Sequence, residues 1–334
     1  MTIRMVPDTE VLTIRVKAFT IDELVARYAV SNQADGKSPR TVRWYTEILT
    51  SFSVYARNKL HNNDMSVLTL EIVRGYILFL RQKHCFEGHP YTPQQDKPLS
   101  VETLRCHCRV LKAFASWLHR EGYTTENRLK NLKLPKAPAK MMEPLTPGEI
   151  EKMISCINMN SSTGTRNHAI VVMALDTGLR ASELVGIKLG RLNLQGGYVG
   201  VTGKGGKDRI VPIGKYVQML IWRYIDKVRP KPFKGDCENL FLSREGRPIT
   251  VNTIKLVFSR LARSSGVNRL HAHLCRHTFA INYLMNGGDI FSLREILGHT
   301  TLEMVNHYLH FTTSQITEQH HKFSPMDKMK WKLN

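Results

Sequence analysis

Three short stretches and one hairpin hold the side chains best placed to do chemistry. In Thr177-Gly178-Leu179-Arg180-Ala181-Ser182-Glu183-Leu184 an arginine follows a glycine turn and opens a helix, where free backbone N–H groups favour an anion. In His273-Leu274-Cys275-Arg276-His277 a histidine and an arginine are three residues apart, so on a helix they share a face and can address one ligand. His277 points to another face and reads as structural. Leu297-Gly298-His299 sets a histidine at a glycine turn, and Tyr308 follows nine residues later on a succeeding helix, within His307-Tyr308-Leu309-His310. The hairpin Gly203-Lys204-Gly205-Gly206-Lys207-Asp208 carries two lysines on a turn rich in glycine. Taken singly, these groups have plainer readings: a solvated arginine, a structural histidine, a half-buried tyrosine.

The elements that must position them are legible in periodicity and capping. Phe19–Tyr28 reads as a helix, and Ser38-Pro39 opens a second with Val42, Tyr45, Ile48, Leu49, Phe52 and Tyr55 at helical spacing. A third spans about Thr69–Lys83, and a fourth starts at Ser100 and carries Leu104, Leu111, Phe114, Trp117 and Leu118. Glu87–Pro98, with three prolines and a glycine, predicts an exposed loop. Leu134-Pro135-Lys136-Ala137-Pro138-Ala139-Lys140 has no apolar period and reads as a linker. The next region opens at Thr146-Pro147-Gly148-Glu149, an N-cap, a first-turn proline and a third-position glutamate. A helix across Asn167–Asp176, another from near Arg180, a hairpin of Tyr198–Thr202 with Arg209–Pro212, and helices from about Thr253 follow. The expected fold class is mainly α. It comprises an N-terminal segment at 1–18, a helical domain at 19–133, a linker at 134–145, a mostly α domain with a small β-sheet at 146–312, and a C-terminal tail at 313–334.

In this order and spacing the motifs resemble those of the tyrosine recombinases, the phage integrase and Xer-type family. The resemblance covers essentially the whole chain: a helical region, a linker, then TGLRASEL, TGKGGKDRIVPI, HLCRHTFA, LGH and the terminal tyrosine. It implies a SAM-like core-binding domain followed by a catalytic domain, and a site-specific DNA recombinase working through a 3′-phosphotyrosine intermediate without metal, ATP or another cofactor. It also implies Tyr308 as the nucleophile, Arg180 and Arg276 as a clamp on the scissile phosphate, His273 as proton acceptor and His299 as a donor to the phosphate. Lys204 is implied as the acid that protonates the leaving 5′-oxygen, with Lys207 as the competing candidate, and Glu183 as a supporting acid that orients its neighbours.

The residue types suit that chemistry. A phenol can store the phosphodiester's energy as a covalent ester. Its free pKa of about 10 calls for a base and a positive site, and two arginine forks can offset charge growing on the phosphate. Further expected DNA contacts are Arg40, Arg43, Arg105, Arg109 and Lys207. The expected partners are double-stranded DNA with specific recombination sites and further copies of the chain, two on one site and four in synapsis. The tail is expected to form a helix around Gln315–Lys322 and a second with Met326, Met329 and Leu333 on one face, docking on its own domain or on a neighbouring protomer.

Composition agrees with a nucleic-acid partner. Lys and Arg number 48 against 28 Asp and Glu, a formal charge of +20 spread along the chain, which suits a protein that closes around a phosphate backbone. With 42% hydrophobic and 23% charged residues, disorder, collagen and coiled coil are excluded. No stretch reaches about 18 uncharged apolar residues, so no membrane span is expected. Asp8 and Glu10 interrupt any secretory pattern, so the cytoplasm is the expected compartment and the six cysteines are expected as free thiols. His84, Cys85, His89, Cys106, His107 and Cys108 include metal-ligating types, but consecutive Cys-His-Cys on a helix point apart, and no metal site is expected. The competing functions are a type IB topoisomerase and a DNA-binding protein with vestigial catalytic residues. Among recombinases, the Glu87–Pro98 loop and the tail incline the reading to a mobile-element integrase over an Xer-type chromosome or plasmid dimer resolvase.

Overall fold

Nine of the eleven α-helices among the described residues begin at a residue whose side chain accepts a backbone N–H of the first turn. The computed structural model describes residues 19–88, 91–137, 142–233, 235–298, 320 and 322. Outside these residues lie His89, His299, Tyr308 and, apart from residues 320 and 322, the expected tail helices; Lys204 is described by its backbone alone. The chain divides into two compact units, Met1–Ala139 and Lys140–Asn334.

The first unit is built from α1 (Ile21–Ala34), α2 (Pro39–Leu60), α3 (Leu70–Gln82) and α4 (Val101–Arg120). Thr20 and Glu23 form a capping box at the start of α1, and Ser38 with Pro39 opens α2 as its sequence predicts. α1 runs six residues past the expected end at Tyr28 because the buried Asn32 satisfies itself within the helix, donating from Nδ2 to the Tyr28 carbonyl at 2.8 Å. Aromatic rings fill the centre: Tyr28 lies 5.4 Å from Phe114 and 5.0 Å from Trp117, and Phe52 meets Tyr76 edge-on at 5.2 Å. The predicted loop between α3 and α4 is largely exposed, yet its stems pair: Cys85 N–H donates to Lys97, and Leu99 N–H to Lys83. Cys108 is buried in the core, His84 faces Asp96 at 3.3 Å, and His107 Nδ1 lies 3.0 Å from the Tyr76 hydroxyl. Burial pushes the His107 imidazole down to about 4.

The second unit holds α5 (Pro147–Ser155), α6 (Ser162–Thr177), α7 (Ala181–Gly186), the strands β1 (Leu192–Asn193), β2 (Tyr198–Thr202) and β3 (Asp208–Pro212), and then α8 (Lys215–Arg223), α9 (Val251–Ser265), α10 (Ala272–Met285) and α11 (Ile290–Leu297). α6 starts five residues before the expected Asn167, because Ser161 Oγ accepts the Gly164 N–H at 2.9 Å and sets the cap upstream. β2 and β3 form the expected antiparallel hairpin, with Val201 opposite Arg209 and Thr202 opposite Asp208, and β1 adds to the other edge of β2. Val199, Val201 and Val211 face the core, so strand alternation turns Arg209 inward as well. α10 packs chiefly on α6, and α11 packs on both α10 and β3. None of the described helices is long and apolar enough to cross a membrane.

Candidate active site

The site is organised around two chain turns. α6 ends at Gly178, whose φ of 62° is the left-handed cap conformation. A Cβ there would also fall 2.6 Å from the Phe279 ring and 2.8 Å from Leu297 Cδ2, so the position needs glycine for space as well as for φ. α11 ends in the same way at Gly298, with φ 62°. The carbonyls of these two turns receive the arginines. Arg276 on α10 is 1% exposed and donates from one guanidinium nitrogen to the Gly178 carbonyl at 2.8 Å and from another to the Leu297 carbonyl at 2.7 Å. Arg180, 31% exposed in its side chain, reaches the same Leu297 carbonyl at 3.4 Å. One carbonyl oxygen therefore gathers two positive charges separated by 96 residues of sequence.

Glu183 sits beneath them with 2% of its side chain exposed. Its carboxylate accepts both the backbone N–H and a guanidinium N–H of Arg180, each at 2.9 Å. The backbone donor expected to favour an external anion at this helix start is thus taken by the protein's own carboxylate. Arg209 completes the set, donating in a bidentate pair to both Glu183 oxygens at 2.9 Å and from Nε to the Ile296 carbonyl at 2.8 Å. Burial by itself raises the Glu183 carboxyl, but the hydrogen bonds and charges of Arg209 and Arg180 outweigh it and hold the group below the usual carboxylate range. Glu183 is an anion whose partners are all internal.

His273 stands in the first turn of α10, one turn before Arg276. His271 Nδ1 caps that helix by accepting the Leu274 N–H at 3.0 Å, and its ring lies parallel to that of His273 at 6.5 Å. The His273 residue is exposed, yet its ring is withdrawn from water enough to lower its pKa, and Arg276, His271, His277 and Arg180 push it further the same way. A neutral imidazole beside two guanidinium groups can accept a proton. His277 instead hydrogen-bonds the Met142 carbonyl.

Lys204 opens a short 3-10 turn at the tip of the β2–β3 hairpin, and Lys207 ends it, exposed. The Gly203 N–H donates to the Lys207 carbonyl at 2.8 Å, and Gly205 and Gly206 both have positive φ, which explains the glycines. In the helical unit, Arg40 is exposed in the first turn of α2, and Arg43 pairs with Glu47. Arg109 pairs with Glu102, and Arg105 is bound to the Pro135 carbonyl and Glu102. The structure thus brings Arg180, Glu183, Arg276 and His273 into one cluster, and adds two residues the motif reading passed over. Arg209 was signalled by a charged residue on the inward face of a strand, two positions from the buried Val211; His271 was signalled by its place just ahead of a helix.

Residues 143–315 match the phage integrase family. The tyrosine recombinase XerD of Listeria monocytogenes is 27% identical over 293 residues, covering 87% of this chain and 94% of that protein. The tyrosine recombinase XerC of Oceanobacillus iheyensis is 29% identical over 309 residues, covering 91% and 95%. Among solved structures, the Tn1549 transposon integrase in complex with a circular intermediate DNA shares the fold, with a TM-score of 0.72 at 21% identity over 91% of this chain and 100% of that one. With its arginines gathered at the ends of α6 and α11 and a match that spans the site, the chain belongs to the phage integrase family, the tyrosine recombinases.

Proposed function

We propose that this protein is a site-specific recombinase that cuts and rejoins double-stranded DNA through a 3′-phosphotyrosine ester on Tyr308. The observation that carries the reading is the convergence of Arg180 and Arg276 on the Leu297 carbonyl, two residues before His299. Two guanidinium groups fixed side by side offer the non-bridging oxygens of one phosphate a preorganised positive site, whose benefit grows as charge develops in the transition state. His273, held neutral by its surroundings, accepts the tyrosine proton. The phenolate oxygen attacks phosphorus, the 5′-oxygen leaves with a proton from Lys204, and His299 donates to the phosphate. Reversal by a different 5′-hydroxyl rejoins the strand. The formal charge of +20 supplies long-range attraction to the duplex, with Arg40, Arg43, Arg105, Arg109 and Lys207 as contacts. Two protomers occupy one site and four make the synapse.

As to biological role, the long Glu87–Pro98 loop and the extension past Tyr308 favour a mobile-element integrase, whereas the similarity to proteins named XerD and XerC favours a dimer resolvase. DNA flanking the gene separates the two: inverted repeats or a duplicated attachment core mark the integrase. The chemistry is tested with a nicked duplex that traps covalent protein. Tyr308→Phe should bind this DNA as well as the parent and form no adduct; an adduct from that variant removes Tyr308 as nucleophile.

A further inference from the structure

Arg209 links three segments that carry or adjoin candidate catalytic groups, although it is not among the candidate catalytic residues of its motif. Its guanidinium holds both oxygens of Glu183, which in turn fixes the backbone and side chain of Arg180. Its Nε binds the Ile296 carbonyl, one residue before the carbonyl shared by Arg180 and Arg276. Two glycines leave room for it. A Cβ on Gly298, immediately before His299, would lie 3.1 Å from Arg209 Cδ, Cζ and Nε, and a Cβ on Gly203, immediately before Lys204, would lie 3.1 Å from one of its terminal nitrogens. With 13% of its side chain exposed, three guanidinium hydrogen bonds and its backbone in register opposite Val201, Arg209 is held by both its strand and its side chain.

We propose that Arg209 is a positioning residue for strand cleavage, setting the relative placement of the Arg180–Glu183 pair, the Lys204 hairpin and the turn before His299. This rests on the catalytic reading above. The planar fork is what the position requires: its two terminal nitrogens meet the two carboxylate oxygens while Nε turns to a carbonyl, a three-way contact that the single ammonium of lysine does not reproduce. A β-strand side chain is a suitable carrier, because the sheet fixes its Cα while α7 and α11 close on it from separate parts of the chain.

The test is a single-turnover cleavage assay on the nicked duplex with Arg209→Lys, Glu183→Gln and the double variant, together with DNA affinity and thermal unfolding of each. Arg209→Lys should retain DNA affinity within about twofold and cleave on the order of tenfold or more slowly at saturating DNA. Since both residues act through one ion set, the double variant should be no slower than the slower single variant, as groups that work as a unit are non-additive. A structural role alone would lower the unfolding temperature and affinity together and leave the rate of the bound complex unchanged. Parent-like cleavage by Arg209→Lys, or rate losses that multiply in the double variant, overturns the proposal. If Arg209→Lys loses DNA binding, Arg209→Gln is read in its place, and loss of binding in both makes Arg209 a folding residue and overturns it equally. Tyr308→Phe run in parallel keeps the two readings apart: an adduct from that variant refutes the catalytic assignment, whereas its absence beside a fast Arg209→Lys refutes the positioning role alone.

Discussion

The two units bury different things. In the helical unit the largest fully buried side chains are rings and aliphatics, such as Tyr76, Phe52, Phe114 and Leu111, and the ion pairs Arg43–Glu47, Arg57–Asp22 and Arg109–Glu102 lie at the surface. In the second unit the largest fully buried side chain among the described residues is an arginine, Arg276, and Glu183 is buried as well. Burying a charge is costly unless every donor and acceptor is met, and replacing such ions by apolar groups often stabilises a protein. A chain that keeps them buried gains fixed charge rather than stability. The core of the first unit is thus built from shape alone, while the second unit, beside a large apolar core of its own, also holds charge still at the ends of α6 and α11.

The strongest way to break this contrast is to exchange the expected consequences. Phe114→Ala should cost about 3–5 kcal/mol in unfolding experiments, the usual penalty for emptying a packed ring site, and should leave the cleavage rate of saturated complexes near that of the parent. If it slows cleavage as much as an active-site change does, the two units do not divide the work as described. Arg276→Lys keeps the charge but loses the fork that spans the Gly178 and Leu297 carbonyls; single-turnover adduct formation should fall by about 10²-fold, with DNA affinity little altered. A parent-like rate would show that charge alone, without its placement, suffices.

The next effect is in the helical unit and depends on pH. His107 titrates near 4 in the folded protein and near 6.5 when exposed, so the unfolded chain binds its proton first. Stability from this group is complete above about 6.5 and is lost as pH falls toward 4, by at most about 3 kcal/mol. Thermal unfolding between these pH values should therefore show a steeper acid decline in the parent than in His107→Gln. The smallest effect belongs to the surface. Arg109→Ala should leave the unfolding temperature essentially unchanged, since its pair with Glu102 is solvated, while lowering the salt dependence of DNA binding by about one unit of slope. An unchanged slope removes Arg109 from the DNA contacts.

Much of this was legible in the residues themselves. Ser38-Pro39, Thr69, Ser100 and Thr146-Pro147 announce helix starts because capping is a contact between neighbours a few residues apart. The Tyr198–Pro212 hairpin shows in its β-branched strands and its glycines for the same local reason. Arg180, Glu183, His273 and Arg276 stand out through the resemblance of their motifs to those of the tyrosine recombinases. Only the tertiary structure decided what those residues touch. The Arg276 bond to Gly178 spans 98 positions, the Arg180 bond to Leu297 spans 117 and the Arg209 bond to Ile296 spans 87. No periodicity records such separations, because a buried donor takes whichever carbonyl the packing of distant helices brings within reach, and burial then makes that choice costly to change. Arg209 shows the division most clearly: strand alternation could turn it inward, but only the arrival of α7 on one side and the end of α11 on the other gave its fork a carboxylate and a carbonyl to hold.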